Sequence, residues 1–103
     1  MADGILTRIA VLDSANDETG WLALNAGQGF LAQVSASALT ATVELQYRAD
    51  AGSPISTIKS YTAQTADIAL ICHAAGEVRL ICTAFTSATA GALRIAPGAN
   101  MAR

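Results

Sequence analysis

The sequence predicts an all-β fold, a single β-sandwich of about seven antiparallel strands in a jelly-roll or immunoglobulin-like arrangement. Short strand-like segments recur at regular spacing, turn residues lie between them, and no long helical period competes. A chain of 103 residues is the usual size of one domain. We therefore assign residues 1–103 to one sandwich domain, with a candidate N-terminal arm over 1–12 and a loose tail over 97–103.

Alternation of apolar and polar residues is clearest over residues 40–48, which indicates a half-buried strand. This pattern predicts that Ala41, Val43, Leu45 and Tyr47 form its inner face. The region 35–45 is rich in alanine, but its threonine and valine content and its two-residue period favour a strand over a helix.

The other strand candidates follow from β-branched and apolar runs between turn residues. In chain order they are 5–11, 21–24, 30–34, 55–62, 67–72, 77–86 and 90–96. Pro97 and Gly98 are expected to end the last strand.

Two connections predict how neighbouring strands pair. Residues 50–54 contain Gly and Pro, so 40–48 and 55–62 should form a hairpin or meander. Residues 73–76 should join 67–72 and 77–86 as a second hairpin. In that hairpin Cys72 would lie near the tip and Cys82 far from it, so the two cysteines should be reduced rather than disulfide-bonded.

Composition predicts a lean core and a surface suited to subunit contacts. Apolar residues make up 52% of the chain, but 23 of them are alanines and only 14% of residues are charged. Much of the surface must then consist of small, weakly polar side chains. We expect an oligomer or a component that docks onto other subunits.

Charge and hydropathy disfavour nucleic acid and membrane as partners. The net charge is −2 and the six Lys and Arg residues are scattered, whereas phosphate binding needs a basic patch. No run is long enough for a membrane span, and Met1-Ala2-Asp3-Gly4 does not begin a signal peptide. A cytoplasmic protein is the expectation.

The sequence contains no pattern that predicts catalysis, a cofactor or a metal. His73 is the single histidine and falls in a predicted turn, without a serine or cysteine motif to serve. The adjacent carboxylates Asp17 and Glu18 fit an exposed turn. Gly27-Gln28-Gly29 lacks the Lys and Ser or Thr of a phosphate loop. We expect a non-enzymatic protein.

One segment in the last third resembles a known group of proteins. It runs Val78-Arg79-Leu80-Ile81-Cys82-Thr83-Ala84-Phe85-Thr86-Ser87-Ala88-Thr89. This is similar to a pattern near the end of short proteins from phage and prophage structural gene clusters. Those proteins usually have glycine at the position that Ala88 occupies in this chain. Residues 41–52 and 61–63 are similar to the same proteins, so the resemblance covers roughly Phe30 to Ile95.

The resemblance implies a β-sandwich component of a tailed-phage virion, assembled in the host cytoplasm. The first placement is a capsid decoration or cement protein, often a homotrimer, that binds between major capsid subunits. The alternative is a tail, baseplate or fibre-attachment adaptor. A carbohydrate-binding module is less favoured, because Trp21, Tyr47 and Tyr61 are not clustered in the sequence.

Five residues are candidates for subunit contacts. Trp21 could be an aromatic anchor, and Arg48 or Arg79 could belong to a polar rim. Leu6 and Ile9 could lie on an arm that adds to another subunit's sheet edge. Each has a purely structural alternative: a core or half-buried Trp21, solvated arginines, and an internal strand containing Leu6 and Ile9.

Overall fold

The structure is a computed structural model that describes residues 7–63, 65–72 and 74–100, with the backbone alone for 65–69, 99 and 100. These residues form eight strands and contain no helix. The strands are β1 (Arg8–Val11), β2 (Leu22–Leu24), β3 (Gln28–Ser35), β4 (Ala38–Arg48), β5 (Ser56–Tyr61), β6 (Thr65–Cys72), β7 (Gly76–Thr89) and β8 (Ala92–Asn100).

Two four-stranded antiparallel sheets pack face to face. One has the order β1-β8-β3-β6 and the other the order β2-β7-β4-β5. Strand β1 pairs with β8, β2 with β7, β3 with β6 and β4 with β5, as in one long hairpin rolled up on itself. This is the jelly-roll order, so the predicted β-sandwich is confirmed and the immunoglobulin-like alternative is not the one adopted.

The core lies between the sheets and is supplied by alternate residues of each strand. In β4, Val43 and Leu45 are fully buried, while Ala41 and Tyr47 pack against the core from its margin, as the alternation predicts. The largest fully buried side chains are Leu12, Leu22, Leu45, Leu80, Leu93, Ile95, Val34, Val43, Val78 and Cys82.

The first predicted hairpin is confirmed and the second is wrong. Strands β4 and β5 pair directly, with Val43 opposite Tyr61. Strands β6 and β7 lie in different sheets, because β6 pairs with β3 and β7 pairs with β4 and β2. Their short connection therefore crosses from one sheet to the other, which local turn chemistry does not reveal.

Both cysteines are buried and free, as expected. The reason differs from the predicted one, since Cys72 belongs to one sheet and Cys82 to the other. Burial raises the pKa of both thiols, because the charged thiolate loses its solvation.

The last strand does not end at Pro97, and residues 97–100 are not a loose tail. Strand β8 continues to Asn100, with Pro97 opposite Phe30 and Asn100 opposite Gln28. The register shifts between these two pairs, and such a bulge tolerates a proline that cannot donate to the ladder. Residues 101–103 lie outside the described chain.

Candidate functional site

The side chains of Trp21, Arg48 and Arg79 meet on the outer face of the β2-β7-β4-β5 sheet. Trp21 directly precedes β2 and is half-buried. The guanidinium carbon of Arg48 lies 4.1 Å from the centre of the Trp21 ring, and that of Arg79 lies 4.5 Å from it. Both distances fit cation–π contacts. We call these three residues the Trp21 cluster.

Strand register explains why the three side chains meet. Leu22 and Leu24 point into the core, so Trp21 projects outward with the opposite phase. Arg79 lies between the buried Val78 and Leu80 and also points outward. These strands are neighbours, since β7 pairs with both β2 and β4. The cluster is therefore assembled from three adjacent parts of one sheet.

Carboxylates hold both arginines in place. Arg48 Nε donates to Glu77 Oε1 at 2.6 Å, across the ladder pair that joins these residues. Arg79 Nη1 donates to Glu18 Oε1 at 2.9 Å. Only 18% of the Arg48 side chain and 15% of the Arg79 side chain are exposed. The arginines are thus covered and paired, rather than solvated on the strand faces.

A further contact makes the network continuous with β4. Arg79 Nε donates to Gln46 Oε1 at 3.0 Å, and Gln46 Nε2 donates to Glu44 Oε1 at the same distance. The formal charges of the two arginines are balanced by Glu18 and Glu77. With Glu44 included, the network carries one net negative charge. Its hydrogen bonds and ion pairs hold the Trp21 cluster in place before a partner binds, which suits a protein contact.

A second candidate surface lies on the other sheet. Ile9 and Val11 point outward from β1, with 68% and 67% of each residue exposed. Among the described strands β1 is an edge of its sheet, paired only with β8. Ile9 therefore belongs to a strand of this chain's own sandwich, whereas Leu6 lies outside the described residues. We call Ile9 and Val11 the β1 surface.

Sequence reasoning missed some residues of both surfaces. Val11 lies two positions after Ile9, so a strand assignment alone would have placed it on the same face. Glu18 was predicted to be an exposed turn residue, and its pairing with Arg79 has no signal in the sequence because 61 positions separate them. Glu77 likewise faces Arg48 only through the β4–β7 register.

The described side chains supply little else that suggests chemistry. No group of three His, Cys, Asp or Glu residues is placed where it could hold a metal ion. Tyr61 is buried and Tyr47 packs against the core, so they do not extend the Trp21 ring into an aromatic platform. His73 lies outside the described chain. Within the described ranges, no helix has the length and hydropathy needed to cross a membrane.

Comparisons with protein-family models, with curated proteins and with solved structures find no match to this chain.

Proposed function

We propose that this chain is a structural protein of a tailed-phage virion, a capsid decoration protein that binds between major capsid subunits and stabilises the shell. One observation carries the proposal: the two candidate contact surfaces lie on different sheets. The Trp21 cluster is on the β2-β7-β4-β5 sheet and the β1 surface is on the β1-β8-β3-β6 sheet. A protein that clamps neighbouring subunits needs two such surfaces.

The Trp21 cluster has the composition of an interface hot spot. Trp and Arg dominate the few residues that carry most of the binding energy in protein contacts. The ion pairs with Glu77 and Glu18 already hold the arginines, so docking orders few additional rotamers.

The β1 surface offers a different kind of contact. An edge strand with outward apolar side chains can accept a strand from a neighbouring subunit, which adds backbone hydrogen bonds to apolar burial. Because each contact raises the effective concentration for the other, two moderate contacts give tight overall binding.

The resemblance of residues 30–95 to small phage structural proteins supports the placement in a virion. The partners are then the major capsid protein and further copies of this chain, as a homotrimer. The alternative placement, an adaptor in the tail or baseplate, uses the same two surfaces and is distinguished by experiment.

Particles that lack the protein provide the test. Purified chain is incubated with isolated capsids and, separately, with isolated tails; the particles are pelleted and bound copies counted. Saturable binding to capsids, at a copy number set by icosahedral symmetry and with greater heat resistance, is the expected result. Binding to tails alone, in few copies, would move the protein to the adaptor role. A sedimentation monomer that binds neither particle would contradict the proposal.

Substitutions test which surface makes the contacts. Trp21→Ala should lower capsid affinity by about tenfold or more, because hot-spot truncations cost roughly 2 kcal/mol. Ile9→Lys should also weaken binding, whereas Ile55→Lys is its control, since Ile55 is also exposed but lies outside both surfaces. Unchanged β-sheet circular dichroism in each variant separates lost contact from lost folding. If Trp21→Ala and Ile9→Lys both bind capsids as tightly as the unaltered protein does, both surfaces are removed from the proposal.

A further inference from the structure

An apolar cleft opens between the two sheets on the side where β5 and β6 form their edges. Its volume is about 320 Å³. One wall comes from β3 and β6 and the other from β4, β5 and β7, so the cleft enters the sandwich itself. The lining residues are Phe30, Tyr47, Ser56, Ile58, Ile71, Cys72, Ala74 and Val78.

The polar groups at this cleft are mostly engaged within the protein. Tyr47 Oη donates to the carbonyl oxygen of Ala75 at 3.0 Å, and Cys72 Sγ donates to that of Ala74 at 2.9 Å. In the described part of the chain, no buried side-chain nitrogen or oxygen is left without a partner. A charged ligand group would therefore find no counter-charge among the described lining residues, and burying it beside them would be costly.

The mouth of the cleft carries exposed aliphatic side chains from two edge strands. Ile58 on β5 is 50% exposed and Ile71 on β6 is 40% exposed. Ile58 is the extra residue at a bulge, because the register between β4 and β5 shifts from Lys59 to Thr57. Apolar surface thus continues from the interior to the rim, where a ligand would cover it.

We propose that this cleft binds a small uncharged apolar molecule, such as a one- or two-ring arene or a short aliphatic chain. Dry apolar cavities of about 150 Å³ bind benzene, so a cleft of twice that volume has room for a larger hydrocarbon. Its volume also reaches the range of about 300–1,000 Å³ typical of ligand pockets. This site is separate from the two surfaces proposed to bind subunits, and its test requires no virion.

Toluene and n-hexanol are suitable probes. Each is titrated into protein with isotope-labelled isoleucine methyl groups, and methyl shifts are followed by NMR. We expect saturable shifts at Ile58 and Ile71 with a dissociation constant of about 1 mM or less, equivalent to roughly −4 kcal/mol. The methyl groups of Ile9 and Ile55, which are exposed outside the cleft, are internal controls and should not shift.

A matched pair of variants tests the location. Ala74 lines the cleft and Ala75 does not, and both are exposed, so Phe should be tolerated at either position. Ala74→Phe should fill the mouth and weaken binding at least tenfold, whereas Ala75→Phe should change it less than twofold. Absent or unsaturable shifts, shifts shared equally by all isoleucines, or equal binding by both variants would overturn the proposal. Such a result would leave the separate proposal of capsid binding standing.

Discussion

At the scale of single residues, Gly76 shows how closely the sandwich constrains one position. A Cβ atom there would lie 2.5 Å from Tyr47 Cε1 and 2.6 Å from the carbonyl oxygen of Arg48. Real Cβ contacts are essentially never this short, and the Arg48 carbonyl belongs to backbone that cannot rotate away. Gly76 therefore permits Tyr47 to lie against the start of β7, where Tyr47 also forms one wall of the apolar cleft.

Gly76→Ala should lower the free energy of unfolding by about 1–3 kcal/mol, since the added methyl group overpacks the contact with Tyr47 and Arg48. Urea denaturation followed by the fluorescence of Trp21 measures this change. Gly52→Ala is the control, because the nearest atom to its Cβ would be 3.8 Å away. Equal stability of the two variants would show that this contact is not as tight as described.

At the scale of elements, the connection between β1 and β2 runs alongside β7 and extends the β2-β7-β4-β5 sheet. Asn16 N donates to the Cys82 carbonyl oxygen, and Cys82 N donates to the Asp17 carbonyl oxygen. Thr19 completes the pairing: its backbone N donates to the Leu80 carbonyl oxygen, and its Oγ1 accepts from Leu80 N at 3.1 Å. The same pairing holds Glu18 beside Arg79 at the Trp21 cluster.

Thr19→Val should destabilise the fold by about 1–3 kcal/mol, because it leaves the Leu80 N–H in β7 without its acceptor. Thermal or urea unfolding measures the loss. Thr19→Ser keeps the hydroxyl and should recover most of the stability, while Thr83→Val on the exposed face of β7 should change it by less than about 0.5 kcal/mol. A serine variant as unstable as the valine variant would assign the effect to packing instead.

At the scale of the whole molecule, the exposed carboxylate of Asp50 makes the stability of the fold depend on pH. The amide of Gly52 and the hydroxyl of Ser53 donate to Asp50 and hold its pKa below the usual 3.8. A lowered pKa means that the ionised form stabilises the folded state. This contribution is complete above pH 3.8 and is lost as the pH falls through the lower, folded value.

Asp50→Asn should therefore flatten the fall in melting temperature between about pH 4 and pH 2, because the amide still accepts both hydrogen bonds but does not titrate there. Calorimetry across this range measures the slope. Ser53→Ala removes one of the two donors to Asp50 and should give a smaller flattening. An unchanged slope in Asp50→Asn would contradict the assignment.

Much of the fold could be predicted from local patterns. The alternation over 40–48 correctly placed Val43 and Leu45 inside, since a strand with one buried face needs a two-residue period. Pairing between distant strands could not be predicted in this way. Strand β6 lies in a different sheet from β7 because it pairs with β3. Strand β8 continues past Pro97 because it also pairs with β3, which is distant in the sequence.

The same distinction between local pattern and tertiary structure applies to the candidate site. Residue chemistry alone singled out Trp21, Arg48 and Arg79 as side chains capable of binding a partner. That all three meet in one cluster, paired with Glu18 and Glu77, was decided by the tertiary structure. The physical reason is that side-chain chemistry and the two-residue period can be recognised from residues that are adjacent in the chain. Contacts across a sheet depend instead on the register between segments up to 61 positions apart.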